Sequence, residues 1–387
     1  MKRNYFTDKI EKFRNIETPF YYYDKALLND TLQTINNCLK EYPAYHLHYA
    51  VKANANKDVL REIQKAGFGV DCVSGGEIQQ ALDAGFDAGK IVYAGVGKAD
   101  WEINLGLDAG IFCFNVESEP ELQVINELAG KKGKMARVCF RINPNVGAHT
   151  HANITTGLAE NKFGISMQDM EEAIKEAEEL PNIEFLGLHF HIGSQILEMT
   201  DFEALCSRIN ELQDRLEAQG IKPKVINVGG GLGVAYDDPD GKPIPDFDAY
   251  FNTYAKNLKL REGQEMHCEL GRAVVGQMGS LITRVLYVKH AHVKSFVIVD
   301  AGMSDLIRPA LYDAHHEIQL AEDSEGREEC TYDVVGPICE SSDVFGKDEK
   351  LPECRRGDLI ALRSAGAYGE IMACQYNCRK LPKAYLL

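Results

Sequence analysis

Between residues 46 and 273 short β-branched runs alternate with longer runs of helical period, and no other feature narrows the fold as far. Eight strand candidates can be read: His46–Ala53, Phe68–Ser74, Lys90–Ala94, Ile111–Val116, Ala136–Asn143, Phe185–Gly193, Lys224–Gly229 and Glu265–Leu270, each followed by polar or glycine-rich residues. In the clearest helical segment Phe202, Leu205, Ile209, Leu212 and Leu216 fall on one face, Thr200 and Glu203 have the spacing of a capping box, and Gly220 marks the end. Eight β/α units in roughly 230 residues is the arithmetic of an α/β protein built on a (β/α)8 TIM-like barrel, with its active site at the C-terminal ends of the strands. A doubly wound sheet alternates strand and helix in the same way, so the order of the chemical motifs must separate the two.

After residue 275 the texture changes to β-branched runs, Leu281–Val288, Ser295–Val299, Tyr332–Val335 and Leu359–Arg363, with few helices between them, which predicts a second, mainly antiparallel, β-barrel-like domain. The aromatic run Pro19–Tyr23 has strand propensity and is expected to pair with it, giving a barrel over 36–275 and a β-domain from 1–35 plus 276–387. A length of 387 residues agrees with two domains, since one hydrophobic core usually stops growing near ~250–300. The formal net charge of −16 disfavours nucleic acid and anionic membrane surfaces as partners, leaving small molecules or other proteins. The basic start has no apolar stretch behind it and no run approaches a membrane span, so a cytoplasmic protein is expected. The 11 cysteines are odd in number and lack C-x-x-C spacing, against a disulfide framework or zinc ribbon; Cys72, Cys113 and Cys268 read as core residues, whereas Cys339 does not.

The strand ends carry the chemistry. The first offers Lys52, an amine following an apolar strand, and the second Asp71, placed either to orient a lysine or to cap a helix. The fifth gives Arg141 and a long loop running to Gly164, of a length typical of lids and binding loops. The sixth supplies His189 and His191, which at i and i+2 on a strand share a face; without acidic partners they do not make a metal site, and no metal is expected there. They read either as core histidines or with His191 laid flat on an aromatic ligand beside the Gly193-Ser194 turn. The seventh runs into Gly229, Gly230 and Gly231, where bare amides can approach a phosphate, and the eighth ends in Glu269, Leu270, Gly271 and Arg272. Lysine, stackable histidine, glycine cradle and a carboxylate–arginine pair together describe a site for pyridoxal phosphate: an amine for the Schiff base, a carboxylate to keep the pyridine nitrogen protonated, an imidazole against the ring.

The chain resembles the alanine-racemase-like, fold-type III family of pyridoxal-phosphate decarboxylases, through Tyr49–Asn54, Asp71–Glu77, Arg141–Pro144, Lys162–Ile165, His189–Gln195, Gly229–Val234, Glu269–Arg272, Asp300–Tyr312, Cys339–Asp343 and Gly366–Tyr368. The resemblance implies that Lys52 holds the cofactor, His191 stacks on it and Glu269 contacts its pyridine nitrogen. Ser194, Gly230, Gly231 and Tyr368 then hold the phosphate, with Asp71, Arg141, Gly271 and Arg272 completing the cofactor site. Arg272, Arg308, Tyr312, Glu340 and Tyr368 match substrate-binding positions, and Cys339 returns a proton to the substrate carbon. It further implies a homodimer with shared active sites, the Cys339-Glu340 segment coming from the partner. The activity implied is decarboxylation of meso-2,6-diaminopimelate to L-lysine and carbon dioxide, the last step of lysine synthesis. Leu270, Ser342 and the Ala94–Lys98 turn depart from the family pattern without altering a reactive group. The alternatives are a decarboxylase for ornithine, lysine or arginine, a non-catalytic cofactor-binding homologue, and a racemase, which would need a second base in place of the Cys-Glu pair.

Overall fold

Parallel pairing runs unbroken around eight strands and closes on itself. The computed structural model describes residues 5–145 and 162–387. A first strand, β1 (Phe20–Tyr23), precedes the ring, which comprises β2 (Tyr45–Ala50), β3 (Gly69–Cys72), β4 (Ile91–Tyr93), β5 (Cys113–Val116), β6 (Ala136–Arg141), β7 (Ile183–His189), β8 (Val225–Asn227) and β9 (Glu265–Leu270). Each pairs with the next and β9 pairs in parallel with β2, so the barrel is closed and the doubly wound sheet is excluded. The compact unit containing it spans 31–233 and 246–274.

The strands are short and buried because both faces are covered, which selects continuous β-branched and aromatic runs over alternation. Val92, Cys113, Cys139, Leu186 and Val225 form one apolar cluster, and Cys72 and Cys268 are buried as well, so these cysteines serve as core residues. All 11 cysteines are free thiols.

Two local expectations are corrected. The helix Met199–Glu217 starts before Thr200, its N-cap is Glu198 and it has no side-chain cap, so Thr200 and Glu203 lie within the helix and form no capping box. β7 stops at His189, so His191 stands in the loop beyond and the two histidines do not share a strand face.

The second compact unit comprises 1–30, 234–245 and 275–387. Residues 234–245, read from sequence as barrel, thus group with this unit. Its remaining strands are β10 (Gly279–His290), β11 (Ser295–Val299), β12 (Ile318–Leu320), β13 (Glu329–Val335), β14 (Val344–Pro352), β15 (Leu359–Leu362) and β16 (Lys383–Leu386). They run in the order β12-β15-β10-β11-β13-β14, mostly antiparallel, and β1 pairs with both β10 and β16 as its aromatic run suggested. Phe6, Phe13, Phe20 and Tyr22 bury their rings against Ile282, Leu359 and Ala361. Such side chains stabilise by about 1.5–3 kcal/mol each, which ties the N-terminal segment to this unit.

Candidate active site

Lys52 follows β2 in a single turn of 3-10 helix, Val51–Ala53. The turn is braced by Tyr49, whose hydroxyl donates to the Asn54 carbonyl at 2.9 Å, and by the Asn54 N–H donating to the Val51 carbonyl at 3.0 Å. The lysine stem is thereby fixed, with Nζ 2.9 Å from Asp71 Oδ2 at the end of β3. Asp71 is fully buried. Burial and the negative charge of Glu269 push its carboxyl up, against the opposing pull of the Lys52 ammonium. The helix after β3 is capped by Ser74, not Asp71, which settles which of the two readings of Asp71 the fold uses.

Glu269, near the end of β9, is held by three side chains from three other strands. Its Oε2 lies 2.9 Å from His189 Nε2, and its Oε1 accepts from Asn115 Nδ2 at 3.0 Å and Asn227 Nδ2 at 2.7 Å. Burial alone would raise its carboxyl, but His189 above all, then Lys52, overcome that and hold it well below the usual carboxylate range. A carboxylate has about four lone-pair positions, so three donors leave one for a ligand N–H.

His191 is half-buried, and burial together with the positive charges of Arg141 and Lys52 holds its imidazole neutral, well below its ordinary value. Its Nδ1 accepts from the Gly230 N–H at 3.2 Å, which presents the ring as an uncharged plate. The glycine run is required by packing in its own right: a Cβ on Gly230 would lie 2.1 Å from the Glu269 carbonyl, and Gly231 adopts φ 120°. A side chain there would push the ends of β8 and β9 apart and misplace Glu269. Ser194 accepts from Arg272 Nη2 at 3.2 Å, so serine and guanidinium stand together beside this turn.

Arg141 donates from Nη1 to Glu117 Oε1 at 3.0 Å and stacks on Phe163, 4.5 Å from the ring centroid. Glu117 also accepts from the Gly95 and Gly164 N–H groups and so ties the loops after three strands to one carboxylate. Most of the long loop before Gly164, residues 146–161, lies outside the described residues. Lys98 has its amine bound by Gly95 O, Asn115 O and Glu121, with the side chain 1% exposed, so it is a structural cation and not a reactive amine.

In the second unit Arg308 and Tyr312 begin and end one short helix. The Arg308 guanidinium donates to the Tyr236 hydroxyl at 2.8 Å and lies 3.0 Å from His316 Nε2. His316 gives its Nδ1 hydrogen to the Arg363 carbonyl at 2.8 Å, leaving Nε2 to accept from Arg308. Cys339 and Glu340 are exposed on a loop shaped by Asp343, whose two carboxylate oxygens accept from Met303 N and Ile338 N at 2.6 Å each. Glu340 accepts from the Tyr376 hydroxyl at 2.6 Å. Tyr368 holds φ 56°, a left-handed conformation that a tyrosine adopts only under constraint.

Of the residues singled out from sequence, the barrel unit brings together Lys52, Asp71, His191, Glu269, Gly230 and the Ser194–Arg272 pair. Sequence reasoning missed Asn115, Glu117 and Asn227, and saw His189 only as half of a histidine pair. The available signal was a polar residue inside an otherwise apolar strand, Cys-Phe-Asn-Val for Asn115 and Val-Ile-Asn-Val for Asn227.

These groups fit pyridoxal phosphate: a lysine amine at the barrel mouth, an ionised carboxylate with one acceptor position to spare, and a neutral imidazole. Asp71 Oδ1 and His189 Nδ1 are in addition buried polar atoms with no hydrogen-bond partner among the described residues. The family model "Pyridoxal-dependent decarboxylase, pyridoxal binding domain" matches residues 28–276, and the chain belongs to this family of pyridoxal-phosphate enzymes. Among its relatives, diaminopimelate decarboxylase of Bacteroides thetaiotaomicron is 67% identical over 97% of both chains, and that of Neisseria meningitidis is 43% identical over 94% of this chain and 87% of the other. The crystal structure of diaminopimelate decarboxylase from Helicobacter pylori complexed with L-lysine superposes with a TM-score of 0.90 at 41% identity, covering 97% of this chain and 93% of that one. A lysine/ornithine decarboxylase from Vibrio vulnificus shares the fold, TM-score 0.84, at 21% identity.

Proposed function

We propose that the protein removes one carboxylate from meso-2,6-diaminopimelate and releases L-lysine and carbon dioxide. The observation that carries the chemistry is the Glu269 carboxylate, buried yet held ionised by His189, Asn115 and Asn227. A buried negative charge is costly unless something needs it, and a protonated ring nitrogen is the partner this one suits. The bound cofactor supplies the electron sink for the pair left when carbon dioxide departs. Lys52 is the amine that anchors it, Asp71 orients that amine, and His191 supports the ring as a neutral plate. Ser194 and Arg272, with the amides of Gly230 and Gly231, supply donors for the phosphate, joined by Tyr368; Arg141 and Gly271 shape the surrounding loops.

Substrate choice rests mainly on the second unit, with Arg272 contributed by the barrel unit. A diamino-diacid has an ammonium and a carboxylate at its far end, and Arg308, Arg272, Tyr312 and Glu340 are the matching donors and acceptor. The Cys339 thiol delivers the proton that replaces the lost carboxylate. In a homodimer with shared sites, Cys339 and Glu340 reach the partner's Lys52. The test is direct: cofactor-loaded enzyme given meso-diaminopimelate should release equimolar carbon dioxide and L-lysine, and absence of both with cofactor bound would overturn the reading.

A further inference from the structure

The seam where the first and last barrel strands meet carries a cluster that the site above does not use. His46 on β2 is the direct register partner of His267 on β9, and Glu265, two residues earlier on β9, faces the same way as His267. One ligand atom from each of His46, Glu265 and His267 lies within 4.8 Å of the others. His46 Nε2 is 3.6 Å from Glu265 Oε1, and His267 Nε2 is 3.4 Å from Glu265 Oε2. A tetrahedral ion with bonds of about 2.0–2.2 Å holds its ligand atoms about 3.3–3.6 Å apart. Each imidazole stands at about that distance from one oxygen of the same carboxylate, and small rotations of the half-exposed His46 and Glu265 side chains would gather one atom from each residue around a single ion.

A hydrogen-bonded relay stands behind the cluster. The Lys90 carbonyl can only accept, so His48 Nδ1, 3.0 Å from it, carries a hydrogen. His48 Nε2 lies 2.8 Å from His267 Nδ1, and both rings are 3% exposed, so His267 is fixed with its Nε2 turned toward the Glu265 carboxylate. Among the described residues His46 Nε2 is a buried nitrogen with no hydrogen-bond partner. A cation among the three would take up both nitrogens, and the His267–His48–Lys90 relay is the outer support by which metal-bound imidazoles are fixed in orientation.

We propose that His46, Glu265 and His267 form a binding site for a divalent ion of the zinc type, clamping β2 to β9 at the N-terminal end of the barrel. Two imidazoles and one carboxylate suit zinc rather than magnesium or calcium, which prefer all-oxygen shells. Glu265 lies four residues before Glu269, about 13 Å along the strand, so the ion acts on barrel closure and not on turnover. Residues at this end of such barrels serve stability.

The test uses cofactor-loaded enzyme stripped with a chelator and dialysed against Zn²⁺, beside His46→Ala, Glu265→Gln and the double variant; both side chains are about half exposed, at 44% and 49%, and circular dichroism and cofactor absorbance should match across the four proteins. Wild type should retain one equivalent of Zn²⁺ more than the double variant. Each single variant should bind it more than a hundredfold more weakly, since loss of a ligand costs more than the tenfold to hundredfold lost with an outer partner. A fixed Zn²⁺ concentration should raise Tm most in wild type, less in the single variants and not in the double variant, by mass action on the folded state, with kcat equal in all four proteins. Co²⁺ should give tetrahedral visible bands in wild type that the double variant lacks. Equal Zn²⁺ stoichiometry and equal Tm response in wild type and double variant would overturn the proposal.

Discussion

Glu269 shows how one side chain can be charged and buried together. Three donors compensate the desolvation, which supports the electrostatic role proposed for it, fixed in place before substrate arrives. Glu269→Gln should keep the cofactor bound while kcat falls by roughly a hundredfold or more, the usual cost of losing one preorganised electrostatic contact; cofactor absorbance and steady-state rates measure the two halves separately, and near-normal turnover would remove the role. Lys52→Ala should abolish both the visible cofactor absorption and activity, and borohydride should trap no adduct on any other lysine; the Lys98 amine is already held by Gly95, Asn115 and Glu121 and offers no substitute. Lys52, Asp71, His191 and Glu269 were legible in the sequence because strand ends in a barrel are where reactive groups collect. Asn115 and Asn227 were not, since a single asparagine in an apolar strand reads equally as a turn residue until the fold shows that both face one carboxylate.

The element that follows β3 converts a sequence motif into a pH dependence. Ser74 Oγ accepts from the Glu77 N–H at 3.2 Å and Glu77 Oε2 accepts from the Val73 N–H at 2.7 Å, a side-chain cap related to the box expected, wrongly, at Thr200 and Glu203, with the carboxylate taking the N–H one residue before the N-cap. Sequence spacing suits both places; the second lies within a helix that begins earlier. Burial pushes the Glu77 carboxyl up from about 4.5 to about 7. Between those values the folded state holds more protons than the unfolded one, so stability falls as pH rises through that window and the penalty is complete above it. Glu77→Gln keeps the acceptor for Val73 and should be more stable than wild type above pH ~7, on the order of 1–3 kcal/mol, with the gap closing below pH ~4.5. Urea titrations across that range measure it; a gap independent of pH would contradict the assignment. The strands missed from sequence have their own reason. β14 contains Lys347, Asp348, Glu349 and Lys350, and charges of this kind protect the end strand of a sheet while hiding its pattern.

At the scale of the whole molecule the division into two units follows from length and from the change in texture after residue 275, while the grouping of 234–245 with the second unit does not, because that segment has no period of its own. The proposed dimer predicts complementation. Lys52→Ala and Cys339→Ala should each be nearly inactive, yet their mixture, after subunit exchange, should recover about a quarter of wild-type activity, from one intact site in each hybrid dimer of a symmetric pair. No recovery after demonstrated exchange would exclude sites shared between subunits. The substrate assignment is the central claim, and the ratio of kcat/KM for meso-diaminopimelate to that for L-lysine and L-ornithine tests it most directly. A pocket built to pair a distal carboxylate leaves its arginine unpaired with either diamine acid, and sites of that kind discriminate by ~10⁴ or more. The account predicts a ratio of that order for both competitors; ratios near one would contradict it and make the protein a general basic amino-acid decarboxylase.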